Sequence, residues 1–171
     1  MGGSVAPGPG DIGLVRIPGA GGPLIRVGQW LDGDGFADFE HAFVAVGGGE
    51  LVEAEPGGAR IRPLSEYDGQ AVVWLRCPAQ YGDAVAAAAR SMAGVGYSWL
   101  DYWAIAAHRL RLPVPGLRTY IGSTGHWMCS AMADRAAMLG GWHLFADKRW
   151  EGYVTPGSLR RLAAQQEGAA A

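Results

Sequence analysis

The sequence predicts an α+β domain: an antiparallel sheet of about five strands packed against helices. Three observations predict it. Residues 41–46 and Glu50–Glu55 flank Gly47-Gly48-Gly49, which is the pattern of strand, glycine turn, strand. An alanine-rich stretch over residues 81–93 reads as a helix stopped by Gly94 and Gly96. A second helix runs over residues 129–139 and closes at Gly140-Gly141. A length of 171 residues suits one ordinary domain with a sizeable core.

Taken in order, residues 1–10 form a flexible Gly/Pro lead-in, residues 11–162 the domain and residues 163–171 a frayed tail. The first strand covers residues 12–17. Asp11 precedes it after a glycine, where turn chemistry accounts for it and a substrate contact is the alternative. Residues 18–23 are a turn-rich loop. Residues 24–31 fit a strand or a short helix equally, because their periodicity favours neither. Residues 32–40 are a polar loop, followed by the hairpin. Residues 59–64 are a short extended piece after Pro56-Gly57-Gly58, and residues 71–77 a further strand in which Cys77 is buried. A helix over residues 97–110 ends before Pro113 and Pro115, and residues 119–125 are a loop. Residues 142–150 carry no clear pattern. Residues 155–162 begin a short C-terminal helix with Pro156 in its first turn.

The hairpin carries the first chemical signal. Side chains alternate along a strand, so Ala42, Val44 and Val46 share one face while His41, Phe43 and Ala45 share the other. A three-residue glycine loop pairs Val46 with Glu50. Phe43 then lies opposite Glu53 and His41 opposite Glu55, with Glu53 one diagonal step from the histidine at roughly 7–8 Å between backbones. A two-residue loop shifts the register and moves both carboxylates away.

The second signal is His126-Trp127-Met128-Cys129-Ser130, a loop running into a helix with a cysteine at the join. The positive end of the helix dipole favours a thiolate there. Thiol catalysis needs a nucleophile, a base that takes its proton and a group that orients the base. Cys129, His41 and an acid on the neighbouring strand supply these three, with backbone N–H groups at the helix start, that of Cys129 included, as an oxyanion hole. Each residue also has a plainer role: a cysteine at a helix start is often a small packed residue, and a histidine after a loop is often structural or solvated. Trp127 packs the loop or shapes a pocket. His126 lines the site or is half of a metal site, but no second Cys/His pair stands at ligand spacing, and neither a metal nor another cofactor is expected. His108 and His143 read as packed or solvated.

Gly10-Asp11-Ile12, His41-Ala42-Phe43-Val44, Leu51-Val52-Glu53-Ala54, Leu64-Ser65 and Cys129-Ser130 together resemble the permuted papain-like branch of the NlpC/P60 superfamily, over roughly residues 10–160. In that branch the histidine strand precedes the cysteine helix. The resemblance implies a circularly permuted papain-like fold. It also implies a cysteine hydrolase of the amidase or peptidase type, cleaving amide or isopeptide-like bonds, those of cell-wall peptides among them. By resemblance, Cys129 matches the nucleophile, His41 the general base and Glu53 the orienting residue, 12 positions on from His41. Spacing alone leaves Glu55 as an alternative orienter. The same resemblance extends to lipid acyl hydrolysis or acyl transfer, so the substrate is a peptide, a peptidoglycan-like chain or an acyl group. A rival from another class is a non-catalytic binding or structural module, for example in a phage particle.

Composition narrows the rest. A net charge of −2 gives no basic footprint for nucleic acid. No apolar run reaches the length of a membrane span. The first ten residues lack a basic n-region and an apolar h-region, so no secretory signal is expected, and Ala6 stands where a myristoylation pattern wants Ser or Thr. The expectation is a cytoplasmic protein, or one delivered by a phage or into a host. Two distant cysteines make no disulfide framework, and a single Cys77–Cys129 bridge is the minor alternative. There is no Gly-x-Ser-x-Gly elbow, phosphate loop or dinucleotide fingerprint.

Overall fold

The computed structural model describes residues 6–16, 41–55, 58–94, 126–146 and 154–169. The segments over residues 24–31, 97–110 and 119–125, and His108, lie outside the described residues, as do the side chains of Glu55, His126 and Trp127.

Five strands form one antiparallel sheet: β1 (Ile12–Val15), β2 (His41–Gly47), β3 (Glu50–Glu55), β4 (Gly58–Pro63) and β5 (Val73–Leu75), in the order β4-β3-β2-β1-β5. A single 3₁₀ turn, Leu64–Tyr67, follows β4. Among the described residues the helices are α1 (Gly82–Met92), α2 (His126–Leu139) and α3 (Pro156–Ala169). The α+β expectation therefore holds, with β2 central and its neighbours supplying both flanks.

The period of two separates the faces as the sequence suggested. Ile12, Leu14, Ala42, Val44, Val46, Val52 and Ala54 join the apolar sides of the helices in the main core, including Val85 and Ala89 of α1, Met132 and Ala136 of α2, and Leu159 of α3. The opposite face holds a smaller cluster in which Val15, Phe43 and Leu51 are buried against Leu64, Tyr67, Val72 and Trp74. Phe43 is stacked on Tyr67 at 4.6 Å between centroids and meets Trp74 edge-on at 5.6 Å. Gly13 is paired with Phe43 across the ladder, and a Cβ there would stand 2.4 Å from the phenyl ring. A glycine in the middle of β1 is thus the space that Phe43 occupies.

Four expectations change. The lead-in is held at its end: Gly8 N–H donates to Asp11 Oδ2 at 3.0 Å and Gly10 N–H to the Ala45 carbonyl at 2.8 Å. The fifth strand covers only Val73–Leu75, and Cys77 lies beyond it, half-buried. The tail is helical through Ala169, because Leu159 and Ala163 face the core and the Gln166 amide bonds both the N–H and the carbonyl of Arg76, at 2.8 and 2.9 Å. Thr155 and Ser158 cap that helix reciprocally, each hydroxyl accepting the other's N–H at 3.0 Å, with Pro156 as the first helical residue. Finally, α2 begins at His126, three positions before the expected start.

Candidate active site

His41 opens β2, and Glu53 reaches it only because of an irregularity in the hairpin. The turn is Gly48-Gly49 with φ of 66° and 75°, the positive pair a two-residue type I′ turn requires, and Gly47 rather than Val46 pairs with Glu50. Continued regularly, that turn would pair Glu53 with Val44 and turn the carboxylate into the helix-covered core. The register shifts between Ala45 and Gly47, leaving Val46 as an extra residue, and Ala45↔Leu51, Val44↔Val52 and Phe43↔Glu53 follow. The bulge therefore returns Glu53 to the histidine's face, the placement the three-residue loop was expected to give.

The His41 ring donates from Nε2 to Glu53 Oε2 at 2.7 Å. Both residues are buried. The other polar partner of the ring is Cys129, which His41 meets through a side-chain hydrogen bond and through charge. The ladder between β2 and β3 ends at Phe43↔Glu53, and the next free N–H of β2, that of Ala42, donates to Cys129 Sγ at 3.3 Å. An N–H of a strand lies in the plane of its sheet. The sulfur thus sits level with the end of β2, where a histidine from the opposite face can reach it.

Cys129 is the fourth residue of α2 and wholly buried, at 0% exposure. It stays within the first turn, where the helix dipole still acts, but at this depth a backbone N–H passes from free to helix-bonded. The N–H of Ala42 is placed beside the sulfur. Ser130, the next residue, donates its hydroxyl to the Val154 carbonyl at 2.8 Å and ties α2 to the start of α3.

The electrostatics favour charge separation. Burial by itself lowers the pKa of His41, but attraction to Cys129, a hydrogen bond to it, and the bond and charge of Glu53 outweigh burial and carry the imidazole up to about 10. Burial raises Glu53, and hydrogen bonds from His41 and Tyr67 with the charges of His41 and Arg62 reverse that, holding the carboxyl below its ordinary value. Both directions favour a protonated His41 beside an ionised Glu53, with Cys129 as a further polar partner of the ring. Cys77 is the contrast: burial, then the charge of Asp11, push its thiol up to about 11. Both cysteines are free thiols.

Other candidates fall away from the site. Asp11 is structural, since its carboxylate accepts the N–H groups of Gly8 and Cys77 and an Arg76 guanidinium N–H at 2.8 Å. His143 is exposed. Among the described residues, no group of three His, Cys, Asp or Glu is arranged to hold a metal, and no helix is long and apolar enough to cross a membrane.

The structure also brings in two residues that sequence reasoning passed over. Tyr67 donates its hydroxyl to Glu53 Oε2 at 2.5 Å, the oxygen that also accepts from His41. Arg62 approaches Glu53 Oε1 at 4.0 Å while bonding Glu66. The alternation along β4 places Arg62 opposite Leu51 and so on the Glu53 face, which a strand assignment from residue 58 would have revealed. Tyr67 carried no such signal, because a 3₁₀ turn has no period to read. No family model, curated protein or solved structure matches the chain.

Proposed function

We propose that this domain is a cysteine hydrolase of the amidase or peptidase type, with a permuted papain-like arrangement in which the histidine strand precedes the cysteine helix. The observation that carries the proposal is the buried trio of Cys129, His41 and Glu53, with the imidazole bonded at 2.7 Å to the carboxylate and hydrogen-bonded to Cys129 as well. A purely apolar packing role for Cys129 does not account for a histidine and a carboxylate buried beside it, since burying charges is costly unless they compensate one another.

The chemistry runs in two halves. The Cys129 thiolate attacks the substrate carbonyl carbon, and the carbon–nitrogen bond breaks as the His41 imidazolium passes its proton to the departing amine. The acyl group is left as a thioester on Sγ. His41, now neutral, takes a proton from water, the hydroxide attacks the thioester carbonyl, and the carboxylic acid departs as sulfur returns to thiolate and His41 to imidazolium. Glu53 stays ionised throughout and stabilises the imidazolium, and the Ala42 N–H supports the sulfur anion. Amide and isopeptide-like bonds, including those of cell-wall peptides, are the substrates this proposal favours. An alcohol or amine in place of water turns the same cycle into acyl transfer, and an acyl lipid in place of the amide turns it into lipid hydrolysis.

The complete burial of Cys129 favours one rival reading: the trio is a structural polar network in a binding module. Iodoacetamide labelling against pH, followed by mass spectrometry at each cysteine, separates the two. The hydrolase proposal expects Cys129 to label far faster than Cys77 at neutral pH, with an apparent pKa well below the ~8.5 of a free thiol. His41→Ala should slow that labelling about 100-fold or more. Burial acts against labelling, so the test is a demanding one. Equal rates at the two cysteines, or a Cys129 rate indifferent to His41→Ala, would overturn the hydrolase proposal and leave the module.

A further inference from the structure

Glu53 has one carboxylate to share between His41 and Arg62, with Arg60 standing opposite it across the β3–β4 ladder. Its Oε2 accepts from His41 at 2.7 Å, and Arg62 Nε stands 4.0 Å from its Oε1. A guanidinium is charged at any ordinary pH, presents a planar fork and is the stronger competitor for a carboxylate. Two contacts work against that competition, and both come from the 3₁₀ turn Leu64–Tyr67. The Tyr67 hydroxyl donates at 2.5 Å to Oε2, the oxygen facing His41. Glu66 takes two hydrogen bonds from Arg62 Nε, at 2.9 and 3.0 Å, and another from Nη2. The Tyr67 ring is itself fixed by packing, stacked at 4.6 Å on Phe43 and 6.3 Å from the His41 ring. Its hydroxyl therefore has a determined direction, set by the sheet face and independent of Glu53.

We propose that Tyr67 is a positioning residue: its hydroxyl holds the Glu53 carboxylate turned onto His41 and away from Arg62. Tyr67 acts through Glu53, sharing with His41 the same carboxylate oxygen. Its consequence for Cys129 rests on the hydrolase proposal, while its effect on His41 does not.

The test uses the full chain with ¹⁵N-labelled histidine, the His41 resonance being assigned by its loss in His41→Gln. Tyr67→Phe keeps the ring stack and removes only the hydroxyl. The carboxylate then swings to Arg62 and the His41 titration, near pH 10 in the parent, falls by at least one pH unit. Adding Arg62→Met removes the competitor and recovers most of that fall. Iodoacetamide labelling of Cys129 drops about tenfold in Tyr67→Phe and recovers in the double variant, the size expected for losing one hydrogen bond to a charged group. A His41 titration in Tyr67→Phe that is unchanged or higher overturns the proposal. A fall that Arg62→Met fails to reverse overturns Arg62 as the competitor. Slow labelling of Cys129 in the parent overturns the hydrolase proposal alone, because the histidine titration still decides the role of Tyr67.

Discussion

At the scale of single residues, three side chains of different chemistry share one buried volume, and each needs the others. Cys129 and Glu53 together raise the pKa of His41 against the cost of burial, and His41, Tyr67 and Arg62 hold the Glu53 carboxyl below its ordinary value. The pH dependence of stability follows. The raised pKa of His41 gives a contribution fully present below its unfolded value of about 6.5 and lost as pH rises through about 10. Glu53, held low, contributes above its unfolded value of about 4.5 and loses that contribution as pH falls below it. The stability difference between the parent and His41→Ala, measured by urea unfolding, should be largest between about pH 4.5 and 6.5 and shrink toward pH 10. A difference flat across that range would show that the ring contributes by packing alone. His41→Ala itself should cost about 1–3 kcal/mol near neutral pH, since it takes one partner from a buried carboxylate. The orienting acid is separately testable: Glu53→Gln should slow Cys129 labelling at least about tenfold and Glu55→Gln should leave it within about twofold. The reverse order would move the role to Glu55.

At the scale of elements, two local devices put the site where it is. The first is the bulge at Val46, which corrects the register of a two-residue turn so that Glu53 faces His41. Alternation alone made the shared face of His41, Phe43 and Glu53 legible. The turn length and the bulge were not legible, because a run of three glycines accommodates several turns and the choice falls to the packing of Val44 and Val52 in the core. The second device is Gly13. With Phe43 lying across it, Gly13→Ala has to displace a ring that supports Tyr67. The expected outcome is a loss of about 1–3 kcal/mol in a denaturant titration, as for overpacking elsewhere. A neutral effect would mean that Phe43 has another place to go. The start of α2 was misjudged by one turn, since His126-Trp127-Met128 offers no capping residue that marks a boundary.

At the scale of the whole molecule, the sheet and its helices are closed by the last segment of the chain. Leu159 and Ala163 of α3 are buried, Gln166 holds the backbone of Arg76 just beyond β5, and Ser130 beside the thiol bonds the residue preceding the cap of α3. A chain ending at residue 162 should therefore unfold at lower urea concentration, with Gln166→Ala accounting for about 1 kcal/mol of the loss. A truncated chain as stable as the parent would restore the view of a frayed tail. The sequence suggested that tail because polar and small residues dominate it. Its helicity comes from the burial of Ala163, after Leu159 in the same helix, and from one bidentate amide, too sparse to make a pattern.

The sequence by itself determined the α+β class, the central hairpin, the separation of its two faces and the candidacy of Cys129, His41 and Glu53. Those features rest on local rules: the period of strands and helices, the turn propensity of glycine and the ionisation of thiols near helix starts. Tertiary structure alone decided that His41 meets both partners at once, that the Ala42 N–H lies on the sulfur, and that Tyr67 and Arg62 both face the carboxylate of Glu53. The contacts to Cys129 join elements far apart in the chain, and the others join neighbouring elements at the same end of β2. Only the packing of both sheet faces fixes that meeting, since neither periodicity nor turn chemistry encodes a distance between elements.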